Sequence, residues 1–293
     1  MSFDNAYESL VDHEDAHWAF GTGFAEPLAG VDREIPDTLD ARDLFEYCLM
    51  LGDDALVLSQ RLAEWCSRGP ELEEDVALAN IALDLLGQAR LLLTRAGEAE
   101  GAGRDEDALA YLRDERDFRN VHLAEIECGP FAGGDFATTV ARLLVYSSWK
   151  VALYARLRSF ADPVVAAIAA KGLKELAYHR DHAAQWVVRL GDGTPESHER
   201  MRAGVARVWP YLAELFTAHP VELRLGVDPA ELAAEVDQVL DAVFAAAGLD
   251  RPDPVPAARV DGRAGRDGVH TEAMGYLLAE LQHLHRSLPG ATW

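Results

Sequence analysis

Acidic residues inside apolar helical segments are the side chains of this sequence best placed to do chemistry. Asp84 lies within LANIALDLLGQARLLL, and Glu175 lies within KELAYHRDH, where His179 and His182 continue the same helical face. Residues three or four positions apart share one face of a helix, so a carboxylate and an imidazole at this spacing can reach one ion. These residue types indicate a metal site between paired helices.

That set is incomplete for the di-iron site of a helical bundle. Such a site needs a carboxylate from each of two helices and Glu-x-x-His from each of the other two. Asp84 is followed at the third position by Gly87, and Glu175 is followed by Tyr178. The third helical segment, YSSWKVALY, carries Lys150 near its centre and no acid. The sequence therefore predicts the arrangement of a metal centre without its full set of ligands.

The remaining polar residues are predicted to form a degenerate site inside the bundle. An unpaired buried carboxylate is costly, so we expect Asp84 and Glu175 to be held by Lys150, His179 or other donors and not by a metal. A mononuclear metal site at Glu175, His179 and His182 is the weaker alternative. The full set of residues in the degenerate site is Asp54, Asp84, Lys150, Glu175, His179 and His182.

Two other acidic stretches leave alternatives open. The first long helix supplies the adjacent residues Asp53 and Asp54, and the pattern does not decide which of them faces the bundle core. Near the N-terminus, DHEDAHW contains Glu14-x-x-His17. Because this motif lies outside the paired long helices, a solvated or partner-contacting surface is favoured there over a metal site.

Helical spacing of apolar residues runs through nearly every long segment, whereas the alternation typical of strands is scarce. Four long helices, with a longer connection between the second and the third, are typical of a ferritin-like bundle. We therefore predict an all-α fold, a ferritin-like four-helix bundle with additional C-terminal helices. The predicted helices span residues 41–68, 72–98, 135–160, 163–190, 195–218, 229–247 and 271–288, with shorter pieces over 105–126.

The chain is predicted to divide into an N-terminal arm, residues 1–39, and a ferritin-like helical domain, residues 40–293. The arm contains the Gly- and Pro-bearing stretches FGTGFAEPLAG and REIPD. A segment rich in Pro, Gly and charge, residues 250–268, is predicted to be an exposed loop. Asp162-Pro163 places a capping acid before a proline, which is typical of a helix start.

The charge of the chain limits its partners. The sequence has 27 Lys and Arg against 50 Asp and Glu, a net charge of −23, which opposes nucleic acid and anionic membrane surfaces. Its first residues do not resemble a secretory signal, and no stretch reaches the roughly 18–20 uninterrupted apolar residues of a membrane span. The three cysteines are widely spaced and form no C-x-x-C, which favours reduced core thiols in a cytoplasmic protein.

Five blocks of sequence carry a family resemblance. From the N-terminal side they are LGDDALVLSQRLAEWC, ELEEDVALANIALDLLGQARLLL, KELAYH, GVHTEAMGYLLAELQHL and the final LPGATW. In this order, from about residue 44 to the C-terminus, they resemble the C subunits of bacterial phenylacetyl-CoA epoxidase complexes. Residues 1–40 lie outside this resemblance.

The resemblance implies a ferritin-like fold and a place in a multicomponent monooxygenase. Such a complex epoxidises the aromatic ring of phenylacetyl-CoA with O2, and a reductase subunit relays electrons from NADPH through flavin and iron–sulfur groups. Its A subunit holds the di-iron centre. The C subunit is a related bundle that pairs with A, alongside further small subunits, and carries no iron.

By this resemblance the chain has no catalytic, cofactor-binding or metal-binding residues of its own. Asp84 with Gly87, and Glu175 with Tyr178, then look like remnants of two ligand pairs whose histidines are absent. A helical binding module without redox chemistry is one alternative function. The other is a free-standing ferritin-like metal-binding oxidase or storage protein using Asp54, Asp84, Glu175, His179 and His182.

Overall fold

The computed structural model describes residues 28–131 and 134–291 of the chain. Over these residues the chain is helical, and its extended pairing is limited to one isolated bridge between Val260 and Arg263. Short 3-10 turns connect several of the α-helices. The α-helices are α1 (Ala41–Ala63), α2 (Leu72–Glu100), α3 (Glu106–Tyr111), α4 (His122–Glu125), α5 (Phe136–Leu157), α6 (Pro163–Gly191), α7 (Pro195–Val208), α8 (Pro220–Arg224), α9 (Ala233–Ala247) and α10 (Glu272–Ser287).

The four long helices α1, α2, α5 and α6 form the bundle. α1 packs along α2, and α5 packs along α6, while α2 and α6 make a smaller contact. The shorter helices lie around this core, with α7 and α9 against α5 and α6, and α10 against α1, α3 and α4. The prediction of an all-α, ferritin-like four-helix bundle with additional C-terminal helices is confirmed.

Aspartates start three of the long helices by accepting hydrogen bonds from free backbone N–H groups. Asp40 accepts from Arg42 N at 2.9 Å, and Asp135 accepts from Thr138 N at 2.7 Å. Asp162 accepts from Val165 N at 2.9 Å, which confirms the predicted start of α6. These caps fix where the helices begin, and so they set the register of the side chains that face the core.

Several predicted boundaries are wrong at their ends. The helix predicted over 41–68 ends at Ala63 and continues as a turn with Ser67 at a φ of 64°. The helix predicted over 195–218 stops at Val208 and passes into 3-10 turns, because Pro210 lacks the N–H that an α-helix needs there. Cys66 lies in the turn after α1 and is exposed, so the prediction of a core thiol is wrong at this position.

By length and composition alone, α2 could cross a membrane. A window of 18 residues has a mean hydropathy of 1.5, and 44% of that window is buried inside the protein. One such helix is weak evidence for a span, since core helices of soluble proteins pass the same test. Here α2 packs closely on α1: the Ser59 hydroxyl donates to the Ala82 carbonyl at 2.7 Å, and a Cβ at Gly52 would lie 3.0 Å from Leu93 Cδ2.

The segment 250–268 departs from the predicted exposed loop. Its first part is largely exposed, but Ala264 and Arg266 are buried, and Gly265 donates its N–H to Glu214 at 3.1 Å. The prediction is therefore wrong for the end of the segment. The reason is that a buried carboxylate in α1 binds the Arg266 guanidinium.

The predicted N-terminal arm lies partly outside the described residues, which begin at position 28. Within 28–39, Leu28 is buried, and the carbonyl of Arg33 accepts a hydrogen bond from Arg95 Nη1 at 2.8 Å. This part of the segment therefore lies on the bundle. The division of the chain at residues 39 and 40 stays a prediction.

Candidate functional site

Asp54 is the centre of a buried ion cluster that joins α1 to α5 and to the segment before α10. Lys150 Nζ donates to Asp54 Oδ2 at 2.7 Å. Arg266 donates through both terminal nitrogens, to Oδ1 at 3.1 Å and to Oδ2 at 2.8 Å. The backbone N–H of Val121 donates to Oδ1 at 2.9 Å. Both carboxylate oxygens are therefore held by groups from three separate parts of the chain.

Lys150 is surrounded by aromatic rings of its own helix. Its Nζ is 4.3 Å from the ring centroid of Trp149, 5.6 Å from that of Tyr146 and 6.0 Å from that of Tyr154. Burial lowers the pKa of Lys150 to about 8, against the opposing effect of the Asp54 charge. The α5 segment YSSWKVALY, which has no acid, thus supplies the cation Lys150 to Asp54 of α1.

Asp53 is also fully buried, but its partners differ from those of its neighbour. Both terminal nitrogens of Arg113 donate to the Asp53 carboxylate, and the backbone N–H of Arg119 donates to Oδ2 at 2.8 Å. Asp53 therefore anchors the segment that follows α3. Asp54, through Lys150, is the acid that faces another helix of the bundle.

Asp84 pairs across the α2–α6 contact. His179 Nε2 lies 3.0 Å from Asp84 Oδ2, so the partner of Asp84 is His179, one of the residues expected to hold it. Lys150 is not a partner of Asp84, because it binds Asp54. The prediction that Asp84 is buried is also wrong: its side chain is 40% exposed, although His179 is fully buried. Asp84 therefore lies at the edge of the α2–α6 contact, whereas His179 lies inside it.

Glu175 and His182 have other partners on α2 and α6. Gln88 Nε2 donates to Glu175 Oε2 at 2.9 Å, and Lys171 Nζ lies 3.8 Å from Oε1. Burial raises the pKa of Glu175. His182 Nε2 lies 3.2 Å from Glu74 Oε2, and burial lowers the pKa of His182. Glu175 is thus held by another donor, Gln88, and not by Lys150 or His179.

These contacts do not provide a metal centre. Over residues 28–131 and 134–291, no three His, Cys, Asp or Glu side chains are grouped so that they could hold a metal ion. The oxygens of Asp54 face an ammonium and a guanidinium, whereas Asp84 belongs to a separate pair. The residues therefore fit neither a di-iron centre nor the mononuclear alternative at Glu175, His179 and His182. The Glu14-x-x-His17 motif lies outside the described residues.

Sequence reasoning missed a second buried cluster beside Asp53. Glu125 accepts from His270 Nδ1 at 2.7 Å, from Asn120 Nδ2 at 2.8 Å and from the Thr271 N–H at 2.6 Å. It also missed Arg266, which lies 212 positions from Asp54. The block GVHTEAMGYLLAELQHL contains His270 and Thr271, so the resemblance of that block was the available signal.

Comparisons with known proteins agree with the resemblance seen in the sequence. A family model described as "Phenylacetic acid catabolic protein" matches residues 31–293. The chain is similar to the C subunit of the 1,2-phenylacetyl-CoA epoxidase of Escherichia coli (strain K12), with 46% identity over 255 residues. That alignment covers 85% of this chain and 99% of the relative. The chain therefore belongs to the phenylacetic acid catabolic protein family.

Proposed function

We propose that the chain is a non-catalytic, structural subunit of a cytoplasmic phenylacetyl-CoA epoxidase of aerobic phenylacetate degradation. It pairs with the iron-bearing A subunit and supports it, together with further small subunits. Epoxidation of the phenylacetyl-CoA ring takes place on the A subunit, and the NADPH, flavin and iron–sulfur groups belong to a reductase subunit. The similarity to the C subunit of an epoxidase supports membership of such a complex.

The observation that carries the non-catalytic role is the ion cluster at Asp54. A carboxylate on a helix of such a bundle serves as a metal ligand only if an oxygen is open to the ion. Here Lys150 and Arg266 supply the positive charge to both oxygens of Asp54. The cluster therefore ties α1, α5 and the segment before α10 together, which is a structural task.

The alternative of a free-standing metal-binding oxidase or storage protein needs Asp54, Asp84 and Glu175 to share one centre. In the described residues, Asp54 is bound to Lys150, whereas Asp84 pairs with His179. Glu175 accepts from a glutamine. These three separate sets of contacts do not favour the alternative.

The proposal is tested by purifying the chain with and without its A subunit. We expect a stable heteromeric complex, with an interface on the order of 2,000 Å² or more. With O2, NADPH and the reductase subunit supplied, ring epoxidation should occur only when the A subunit is present. A chain that stays monomeric beside the A subunit at high concentration would refute the proposal. So would epoxidation by the chain alone.

The role of the degenerate site is tested by Asp84→Asn combined with Glu175→Gln. The assembled complex should keep its turnover, because these residues are expected to lie outside the chemistry. Asp181→Asn changes an exposed acid of α6 and serves as the matched control. A large loss of turnover in a folded and assembled double variant, with the control unaffected, would place the site in the reaction.

A further inference from the structure

Large apolar side chains project from the side of α2 that no other described helix covers. Leu72, Val76 and Leu83 are 73%, 53% and 56% exposed. With Ala79 and Gly87 they form a line that we name the outer stripe, since at 3.6 residues per turn all five lie within about 80° of one another. Single exposed apolar residues are ordinary, but a contiguous apolar line marks an interaction surface.

Gly87 is a second, independent sign that something covers this stripe. Glycine destabilises the interior of a helix relative to alanine. A Cβ at Gly87 would meet no described atom within 4 Å, whereas a Cβ at Gly172 of α6 would lie 2.9 Å from the Tyr154 ring. The packing of the described residues thus accounts for Gly172 and not for Gly87. A neighbouring helix that crosses α2 closely at this point would account for Gly87, because the distance between two helices depends on the side chains at their contact.

A pocket adjoins the N-terminal end of the outer stripe. Its volume is about 400 Å³, and Phe136, Trp186 and Leu190 are among the residues that line it. Glu71 also lines the pocket and directly precedes Leu72, so the pocket lies near the residue at which the stripe begins. A pocket with aromatic residues in its wall suits an aromatic side chain inserted by a partner, since the strongest contact points of interfaces are enriched in Trp and Tyr in well-packed pockets.

Charge identifies the kind of partner. Acids flank the stripe where α2 begins, at the N-cap residue Glu71 and at Glu73 and Asp75 in the first turn, and the whole chain carries a net charge of −23. A second copy of this chain would bring acids against acids, and an anionic membrane surface would be repelled in the same way. A helix flanked by lysine or arginine complements these acids.

We propose that the outer stripe and its pocket receive an apolar helix, flanked by Lys or Arg, from a different and less acidic subunit. The inference rests on the proposed function, because it assumes that the chain works inside a multi-subunit assembly. It adds the surface, and the chemistry of the helix that binds there. A single helix–helix packing then covers Leu83 and Val76, approaches α2 closely at Gly87 and places an apolar side chain in the pocket.

The test measures binding of the full chain to its A subunit. Leu83→Arg should weaken binding at least tenfold, while Leu284→Arg should leave it unchanged. The two leucines are 56% and 54% exposed and both lie on helices, so the pair separates loss of this surface from the general effect of a new charge. Thermal midpoints of both variants check that the chain stays folded.

Gly87→Ala gives a readout that a folding defect would not produce. The thermal midpoint of the isolated chain should rise, because alanine favours the helix and the site is open, while binding to the A subunit should weaken. Equal binding by wild type, Leu83→Arg and Gly87→Ala would overturn the inference and leave the proposed function standing. Failure of the wild-type chain to bind the A subunit would overturn both.

Two further measurements distinguish other occupants of the surface. Wild-type chain without the A subunit is examined for self-association and for binding to vesicles of neutral and of anionic lipid. We expect neither. Self-association or vesicle binding that Leu83→Arg abolishes would assign the surface to a second copy or to a membrane, and would overturn the proposal.

Discussion

Lys150 and Asp54 meet in the bundle core with 2.7 Å between Nζ and Oδ2, across 96 positions of sequence. Arg266 binds the same carboxylate from outside the bundle helices. The acid therefore has two cationic partners, and each cation has this acid as a direct ion-pair partner. Replacing Asp54 should therefore change the stability of the fold by a different amount than replacing Lys150 or Arg266.

Replacing Asp54, which both cations share, should lower the free energy of unfolding more than replacing one of the cations. In Asp54→Asn, two buried cations lose their counter-charge, and an uncompensated buried charge costs about 3–5 kcal/mol. In Lys150→Met, Arg266 still neutralises the acid, so the free energy of unfolding should fall by less than half as much. Urea unfolding midpoints measure both changes. Equal losses would show that Arg266 does not share the carboxylate.

A double-mutant cycle tests which acid Lys150 serves. Lys150→Met with Asp54→Asn should lose less stability than the sum of the single changes, with a coupling of about 0.5–3 kcal/mol. Lys150→Met with Asp84→Asn should be additive within about 0.5 kcal/mol, because Asp84 pairs with His179. Coupling to Asp84 and none to Asp54 would contradict the contacts that Lys150 makes in the structure.

The His270–Glu125 pair predicts a pH dependence of stability. Burial opposes a charge on His270, but the hydrogen bond and the charge of Glu125 outweigh it and raise the pKa of His270 above its usual 6.5. Both ring nitrogens face acceptors, Glu125 Oε2 and the Phe118 carbonyl, and only the protonated ring can donate to both. A raised histidine pKa contributes stability that is complete below the unfolded value and is lost as pH rises through the folded value.

The difference in free energy of unfolding between wild type and His270→Gln should therefore favour wild type more at pH 6 than at pH 9. For Lys150 we expect the opposite dependence of stability on pH. Burial lowers the pKa of Lys150 from 10.5 to about 8. As pH rises between these values, Lys150 loses its proton in the folded protein but keeps it in the unfolded chain, so the stability of the folded protein rises. The advantage of wild type over Lys150→Met should then grow toward pH 10. An advantage over His270→Gln that grows with pH would mean that His270 is neutral in the folded protein.

The bundle was predictable because helical periodicity and capping acids are local signals. Asp162 before Pro163 marked the start of α6, and Lys150 was conspicuous as a charge inside an apolar helix. Arg266 was missed because its partner lies 212 positions away, and its segment has the composition of an exposed loop. No local pattern in a sequence announces a contact of that range.

The misplacement of Asp84 has a different cause. Its neighbours in sequence are apolar, so the whole segment was interpreted as a buried helix. In the structure, Leu83 is exposed and Leu85 is buried, so apolar residues occupy both the inner and the outer side of α2. Hydropathy does not distinguish a side chain that packs within the chain from one that is free to bind a partner.

Ferrous iron bound by the purified chain is the most direct test of the account, which holds that this bundle is a support and not a metal centre. The chain is incubated with excess ferrous iron without oxygen and desalted, and bound iron is counted per chain by elemental analysis. Neither Glu-x-x-His motif is complete and Asp54 is held by cations, so well under one equivalent should remain. Two equivalents of iron, lost in Asp84→Ala, would contradict the account.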